Sequence, residues 1–309
     1  DYVLRSSVKL HWLLDKSWIS NLTLQTSVSY GDKLNETKTN KSSASTQPYI
    51  HTTEAGYHIA ELYEANPNAN IILGPTGYWY VRSFTDSKPL AYSIKAKADW
   101  SHCWGKTMNT ILFGSELSAS GNKGRGLYYD DMRVAPTWRE YRYDKLPFMN
   151  NVSFFFEDKF SMPVGRHSSL HMRAGVRSDI TMIKDSEYGT MVNLSPRINV
   201  KYNFWTNKKH AVSDISLLAG WGKSVKQPSF AVLYPAPTYS DKLAFAPGTT
   251  PDGKTIYAYY TQPTTPKYNP ELKCQYTLQN ELGLEATLLG TRISLTAFRN
   301  KTFNPYMSR

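Results

Sequence analysis

Few residues in this chain are spaced for chemistry. His51, Glu54 and His58 come nearest to a metal-ligand set, yet their spacing fits no helical zinc motif, in which both imidazoles share one helix face. Gly121, Gly124 and Gly126 have the composition of a phosphate loop, but no strand-to-helix context follows and a flexible loop is expected. Asp130 and Asp131, between Tyr129 and Arg133, could hold calcium or a sugar hydroxyl, although a solvated acidic turn is the default. No nucleophile has a base beside it, and Cys103 and Cys274 match neither a disulfide scaffold nor a metal site. The reading is therefore a non-enzyme with no metal and no cofactor. What remains is a set of rings and guanidinium groups. Tyr128, Tyr129, Trp138, Arg139, Tyr141, Arg142 and Tyr143 fill one stretch, and Tyr234, Tyr239, Tyr257, Tyr259 and Tyr260 another. Flat rings stack on sugar faces, and the guanidinium fork grips anionic groups. With Asp130 and Asp131 they are the candidate ligand-binding residues; the same types equally suit long loops packing on one another.

The elements that must position them are long alternating strands, best seen at 193–225. In NLSPRINVKYNF the residues Leu194, Pro196, Ile198, Val200, Tyr202 and Phe204 share one parity, and Asn193, Ser195, Arg197, Asn199, Lys201 and Asn203 share the other. Period two is the strand signature. Twelve residues at roughly 3.3 Å, tilted by about 40°, rise some 30 Å, enough for a membrane-spanning apolar band, whereas soluble strands are about half as long.

The same unit repeats along the chain. Strands are expected at 3–14 and 18–30, 90–102 and 107–119, 150–162 and 169–180, 193–204 with its partner to 225, and 272–286 and 292–300. That makes ten strands in five hairpins, all short turns at one end and the long stretches 31–89, 120–149 and 226–271 at the other. The residues 31–89 read as an irregular connection. Trp12, Trp18, Trp100, Trp104 and Trp205, with Phe160 and Phe204, fall at the short-turn end, as an interfacial aromatic girdle requires. Parity turns Leu22, Leu24, Val28, Ile94, Ala96, Phe154, Leu194, Ile198, Val200, Leu282 and Leu284 to lipid, and Lys95, Lys97, Arg197, Lys201, Gln279 and Glu281 to a lumen. The fold class is thus all-β, an antiparallel transmembrane β-barrel wall. A soluble β-sandwich would have shorter strands and no end bias in loop length.

The totals agree. In 309 residues there are 22 Tyr and 8 Trp, hydrophobic residues reach only 40%, and the net charge is +11. No apolar run attains the roughly 18 residues of a transmembrane helix, while a barrel tolerates polar lumen positions. The basic residues are dispersed rather than gathered on a helix, so nucleic acid is not expected as a partner; a cationic lumen or attraction to outer-membrane lipid and lipopolysaccharide fits better. Cys103 and Cys274 should be free, at opposite rims. Strand pattern already at Asp1-Tyr2-Val3-Leu4, and an end at Arg309 just past a strand, suggest a fragment.

The stretches HMRAGVRSDI, NLSPRINVKYNF, LLAGWGKSVKQPSFAVLYP and YNPELKCQYTLQNELGLEATLLGTRISLTAFRNKT, in that order, resemble the barrel part of a TonB-dependent outer-membrane receptor of the Bacteroidetes, SusC-like type. The resemblance covers most of the chain. It implies a Gram-negative outer membrane, a 22-strand barrel of which ten strands are present, and a plug and TonB box outside this segment. It further implies partnership with TonB and a surface lipoprotein, and energy-coupled import of a nutrient. By family analogy the cargo is an oligosaccharide or peptide; a siderophore, haem or cobalamin-type ligand is the alternative. A non-transporting structural or adhesive barrel, or a barrel enzyme, would lack the plug or need a Ser-His or Asp-His pair at the rim.

Overall fold

The computed structural model describes residues 1–182, 184, 189–207, 211–264 and 272–306. Its first strands are β1 (Tyr2–Lys16), β2 (Ile19–Ser43), β3 (Pro48–Ile50), β4 (Gly56–Glu61), β5 (Ile71–Leu73) and β6 (Gly77–Ser87). Next come β7 (Pro89–Trp104), β8 (Thr107–Asn122), β9 (Gly126–Tyr129), β10 (Met149–Pro163), β11 (Ser169–Met182) and β12 (Thr190–Thr206). β13 (Val212–Lys226), a single helical turn α1 (Phe230–Leu233), β14 (Thr238–Thr249), β15 (Thr255–Thr264), β16 (Gln275–Leu288) and β17 (Thr291–Phe303) complete the series.

Ten strands form one antiparallel wall in the order β1-β2-β7-β8-β10-β11-β12-β13-β16-β17, so every chain neighbour in the wall is also a hydrogen-bonded neighbour. These are the ten strands expected from alternation, and the short turns again share one end. One of the two-residue turns is Leu289–Gly290, whose φ angles of 50° and 80° are both positive, the geometry that joins right-twisted strands with two residues. Parts of two other connections, 185–188 and 208–210, and Asn269, Pro270 and Glu271 of the NPELK stretch lie outside the described residues. Cys103 and Cys274 are free, the first exposed near the short turn of β7 and the second buried just before β16 at the long-loop end.

Register carries the two faces across the whole wall. Leu24, Ala96, Ser115, Phe154, Ser178 and Leu194 stand in one row over six strands. The adjacent row on the other face reads Gln25, Lys95, Glu116, Ser153, Asp179 and Asn193. All the residues assigned to lipid by parity fall on the first face, and Lys95, Lys97, Arg197, Lys201, Gln279 and Glu281 on the second. Phe154, Leu194 and Leu282 remain 53%, 54% and 55% exposed, an extended apolar surface that only an apolar medium would cover.

The reading of 31–89 as irregular needs correction at both ends. β2 runs 25 residues, through Gly31 to Ser43, and β6 returns along it in the register already set by β7: Tyr30 faces Leu90, Lys33 faces Ser87 and Ser43 faces Gly77. The run NETKTNKSS showed no alternation because both sides of this extension are wet; the ladder of backbone hydrogen bonds, not a buried face, keeps it extended. Its 11 paired residues project about 36 Å beyond the wall at roughly 3.3 Å each. β9 adds a third strand through Ser83 and Tyr129. The stretch 226–271 is likewise more ordered than expected, since it holds β14 and β15. These join β4, β5 and β3 in a second sheet, ordered β14-β15-β4-β5-β3, built from two connections far apart in the chain. Its small core is Ile50, Ala60, Ile71 and Leu73, with Leu62, Tyr257 and Tyr259 against it.

The facing is testable on β16. Leu282→Arg, on the apolar face near mid-strand, should destabilise the wall by about 2–4 kcal/mol in a bilayer, whereas Gln279→Arg, on the polar face opposite Gly222 and Asn300, should cost little. Urea titration of the two variants refolded into lipid vesicles measures the difference; equal losses would reverse the assignment.

Candidate ligand-binding site

The polar face of the wall is a lattice of paired charges. Glu157, nearly buried, receives Arg173 at 2.8 Å, Arg197 at 2.7 Å and Lys159 at 3.8 Å. Three cations around one carboxylate satisfy the buried anion and leave this patch net positive. Nearer the long loops Arg177 bridges Glu116 at 3.2 Å and Asp179 at 2.9 Å, with Lys95 also on Glu116 at 3.5 Å. Ser153 donates to Asp179 at 2.6 Å and accepts from Arg177 at 2.8 Å. These side chains meet because period two puts them on one face and register puts them at one height.

At the long-loop end the charges give way to hydroxyls and amides. A concavity of about 490 Å³ is lined by Ser27, Ser93, Ser118, Asn151 and Gln227 among others, with Arg5 as its one charged lining residue. Ser27 and Ser93 share a hydrogen bond of 2.8 Å, and Gln227 donates to Asn151 at 2.9 Å and to Thr181 at 2.6 Å. A second hollow of about 310 Å³ lies beside it, between Asn151, Arg177, Asp179 and Asn193. A third, of about 470 Å³, sits lower, lined by Lys159, His171, Arg173, Lys201 and Glu281. The hydroxyl and amide row was missed in the sequence. Ser27, Ser93, Ser118 and Asn151 belong to separate strands, Thr181 and Gln227 lie past the expected strand ends, and only the strand register brings them to one level.

Above the wall, three long connections are docked on one another through Arg139. Its guanidinium grips Asp241 with two hydrogen bonds, 2.9 and 2.7 Å, donates to the Thr52 carbonyl at 2.9 Å, and lies 4.5 Å from the Tyr239 ring centre. One side chain therefore ties 123–148 to 44–76 and to the β14–β15 hairpin. Around it Trp138 N–H donates to the Ile50 carbonyl at 3.2 Å, and His51 Nδ1 donates to the Trp138 carbonyl at 3.2 Å. Thr261 completes the site of Asp241 at 2.8 Å.

Many of the aromatic and basic candidates serve this docking. Tyr129 packs edge-on against Trp138 at 5.5 Å. Tyr141 donates its hydroxyl to the Tyr234 carbonyl, and Tyr234 is itself buried against Phe230. Tyr257 and Tyr259 pack on the core of the small sheet, and Tyr239 lies on Arg139. Tyr143 meets Tyr141 edge-on at 6.2 Å. The charged candidates are engaged locally: Asp131 with Arg133 at 2.7 Å, Arg142 with Asp144 at 2.7 Å, and Asp130 with Arg82 at 3.4 Å. Two further ring pairs are Tyr260 with the exposed Tyr57 at 5.0 Å and the half-buried Tyr128 stacked on Phe84 at 5.3 Å, with Arg125 4.5 Å from the Tyr128 ring centre and Arg82 5.4 Å from that of Phe84. Tyr57, 69% exposed, and Phe84 were not singled out in the sequence because they lie in what read as an irregular connection.

The weaker motifs resolve as structure. His58 Nε2 donates to the Glu54 carbonyl at 3.1 Å and its Nδ1 accepts from Asn70 at 3.0 Å, while His51 turns to Trp138, so the His51, Glu54 and His58 set does not converge. The glycines at 124 and 126 allow close approach: a Cβ at Gly124 would lie 2.4 Å from the Asp86 carbonyl oxygen, and one at Gly126, where φ is +87°, 2.6 Å from that of Tyr141. The expected flexible loop is therefore tightly packed here.

The family description TonB dependent receptor-like, beta-barrel matches residues 1–308. The chain belongs to this family. Receptors of the family sit in the Gram-negative outer membrane and work with TonB. Among solved structures the chain is similar to "Copper transporter OprC", at 14% identity and a TM-score of 0.48, over 96% of this chain and 39% of that one. It is similar also to the siderophore receptor PirA from Pseudomonas aeruginosa, at 14% identity and a TM-score of 0.41, over 97% of this chain and 46% of that one. The chain thus spans less than half the length of either structure. No curated protein sequence matches it significantly.

Two titrating groups hold the docked loops, and they respond to acid differently. Burial pushes the His51 imidazole below its ordinary value and the Arg139 charge adds to this, against the raising effect of its bond to Trp138. With the docked value below the undocked one, its contribution is complete above the ordinary imidazole range and is lost as pH falls through that range. Burial alone would raise the Asp241 carboxyl, but the hydrogen bonds from Arg139 and Thr261 and the adjacent guanidinium charge outweigh it and hold the pKa low. Its contribution persists above the ordinary carboxylate range and goes only in stronger acid. Between about pH 7 and pH 5, hydrogen exchange, corrected for its intrinsic pH dependence, should rise around 48–52 before it rises at 239–243. Arg139→Ala, which leaves Asp241 unpaired, should weaken docking by about 3–5 kcal/mol and speed limited proteolysis of the loops without shifting wall melting; Arg139→Lys should recover only part.

Proposed function

We propose that this chain forms part of the wall and outer loops of a TonB-dependent outer-membrane receptor that imports an oligosaccharide or oligopeptide. The observation that carries the reading is the row of Ser27, Ser93, Ser118, Asn151, Thr181 and Gln227 on the polar face at the long-loop end. These groups offer donors and acceptors without net charge, so a neutral ligand rich in hydroxyl or peptide groups can exchange its bonds to water for bonds to them. The exposed Tyr57, packed on Tyr260, adds a flat surface on which a sugar ring or a side chain can stack. In this reading the plug, the TonB box and the remaining strands of a 22-strand barrel lie elsewhere in the protein. The SusC-like resemblance adds a surface lipoprotein that hands over the cargo.

A ferric chelate or another anionic ligand is the second reading, favoured by the surplus of cations around Glu157. The two separate in the full-length receptor in cells. Replacing Ser93, Ser118 and Asn151 together by Leu should abolish energy-dependent uptake of labelled oligosaccharides or oligopeptides while the barrel stays heat-modifiable on gels. Loss of ferric-chelate uptake instead, with both other classes never transported, would favour the second reading, and no uptake of any class by the unaltered receptor would favour a structural barrel.

A further inference from the structure

The outward face of the wall is mostly apolar, with Asp158 held by Asn109 at 2.6 Å in its short-turn half, and in its long-loop half the cations gather in one place. Lys223, Leu278 and Lys301 stand in a single row across β13, β16 and β17, and Arg299 lies two residues below Lys301 in the row with Trp221 and Asn280. Their parity is that of Leu282, Leu284, Leu295 and Ala297, so all three cations point away from the polar face. In the long-loop half of the wall, the outward positions of the other seven strands hold no Lys or Arg among the described residues. The ion pairs that β16 and β17 make, Lys201 and Arg292 with Glu285, lie on the opposite face near the short turn, and no described carboxylate pairs with Lys223, Arg299 or Lys301.

We infer that this patch docks the phosphate groups of an outer-leaflet glycolipid headgroup, an inference that rests on the wall spanning an outer membrane. Lys223 and Lys301 are two strand spacings apart, about 10 Å, and Arg299 is about 7 Å along its strand from Lys301, so one phosphorylated headgroup reaches all three. The height is right. Lys223 Nζ lies 4.7 Å from the Tyr276 ring centre and Lys301 Nζ 4.9 Å from that of Phe303, with the two rings stacked at 4.9 Å. Aromatic rings at the end of a spanning strand mark the interface, where an outward cation costs little, while a cation at mid-bilayer would not be tolerated so cheaply. Snorkelling alone would account for one such side chain. Three on neighbouring strands, facing outward without an anion, complement a headgroup whose phosphates lack their own counter-cation.

The test uses the full-length receptor purified in neutral detergent, with lipid A and its dephosphorylated form as probes, read by native mass spectrometry. The unaltered receptor should retain phosphorylated lipid A, and the triple variant Lys223→Gln, Arg299→Gln, Lys301→Gln should bind it about 100-fold more weakly. Lys97→Gln, on the polar face, should leave binding unchanged. Replacing Lys223 and Lys301 by Arg keeps the charge and should keep the affinity, which guards against a folding defect in the triple variant. Equal binding of the dephosphorylated probe, an unaffected triple variant, or displacement by inorganic phosphate alone would each overturn the assignment. Outer-membrane fractionation of the receptor reports separately on the reading of the wall.

Discussion

The constraint on which the rest depends is that a backbone crossing an apolar layer must find all its hydrogen-bond partners in its neighbours. Adjacent strands therefore pair along their whole length, and because side chains alternate with period two, one pairing fixes the direction of every residue. The row from Gln25 to Asn193 follows from this, since shifting β10 by one residue would turn Glu157 and Ser153 outward and bring Phe154 and Phe156 among the charges. The charge lattice then reinforces the register that made it. Arg177 reaches partners on β8, β10 and its own strand only while all three hold their present alignment.

Where the wall leaves that layer the rules change. The extension of β2 and β6 keeps the ladder but loses the alternation, and the small sheet of β14, β15, β4, β5 and β3 has a core of only a few residues. So small a core supplies little apolar burial to hold three long connections, and the polar contacts of Arg139, Asp241, His51 and Thr261 supply the specificity of docking. Such contacts are directional: they select one arrangement of the loops strongly while adding modestly to its stability.

This difference explains what the sequence disclosed. The ten wall strands were legible because each has one face in an apolar medium, which forces the period, and because Trp12, Trp18, Trp100, Trp104 and Trp205 mark one rim. The strand from Gly31 to Ser43 was not, because no medium distinguishes its two sides. For the candidate site, the stretches rich in rings and arginine were legible from composition, but not the role of each residue. Arg139 and Asp241 are 102 positions apart, and nothing local in either segment announces the pairing. Tyr234 carries the same side chain as Tyr260, yet one is buried beneath the loops and the other lies against the exposed Tyr57.

The geometry also bears on how a ligand could pass from the loops to the wall. Arg139 connects all three long connections at one point, so a change there is felt by the cap as a whole rather than by one loop. The Tyr234 hydroxyl extends the chain of contacts downward to the Lys184 carbonyl, and Gln227, just beyond the end of β13, sits in the hydroxyl and amide row itself. The segment from Gln227 to Tyr234 thus spans the distance between the row and the docked loops, with Pro228 fully buried and the α1 turn holding its middle. A ligand that displaced Gln227 from Asn151 and Thr181 would act on the segment that supports Tyr141. Loop docking and occupancy of the row are therefore expected to be coupled through this short connector, because both make their contacts with the same eight residues of chain.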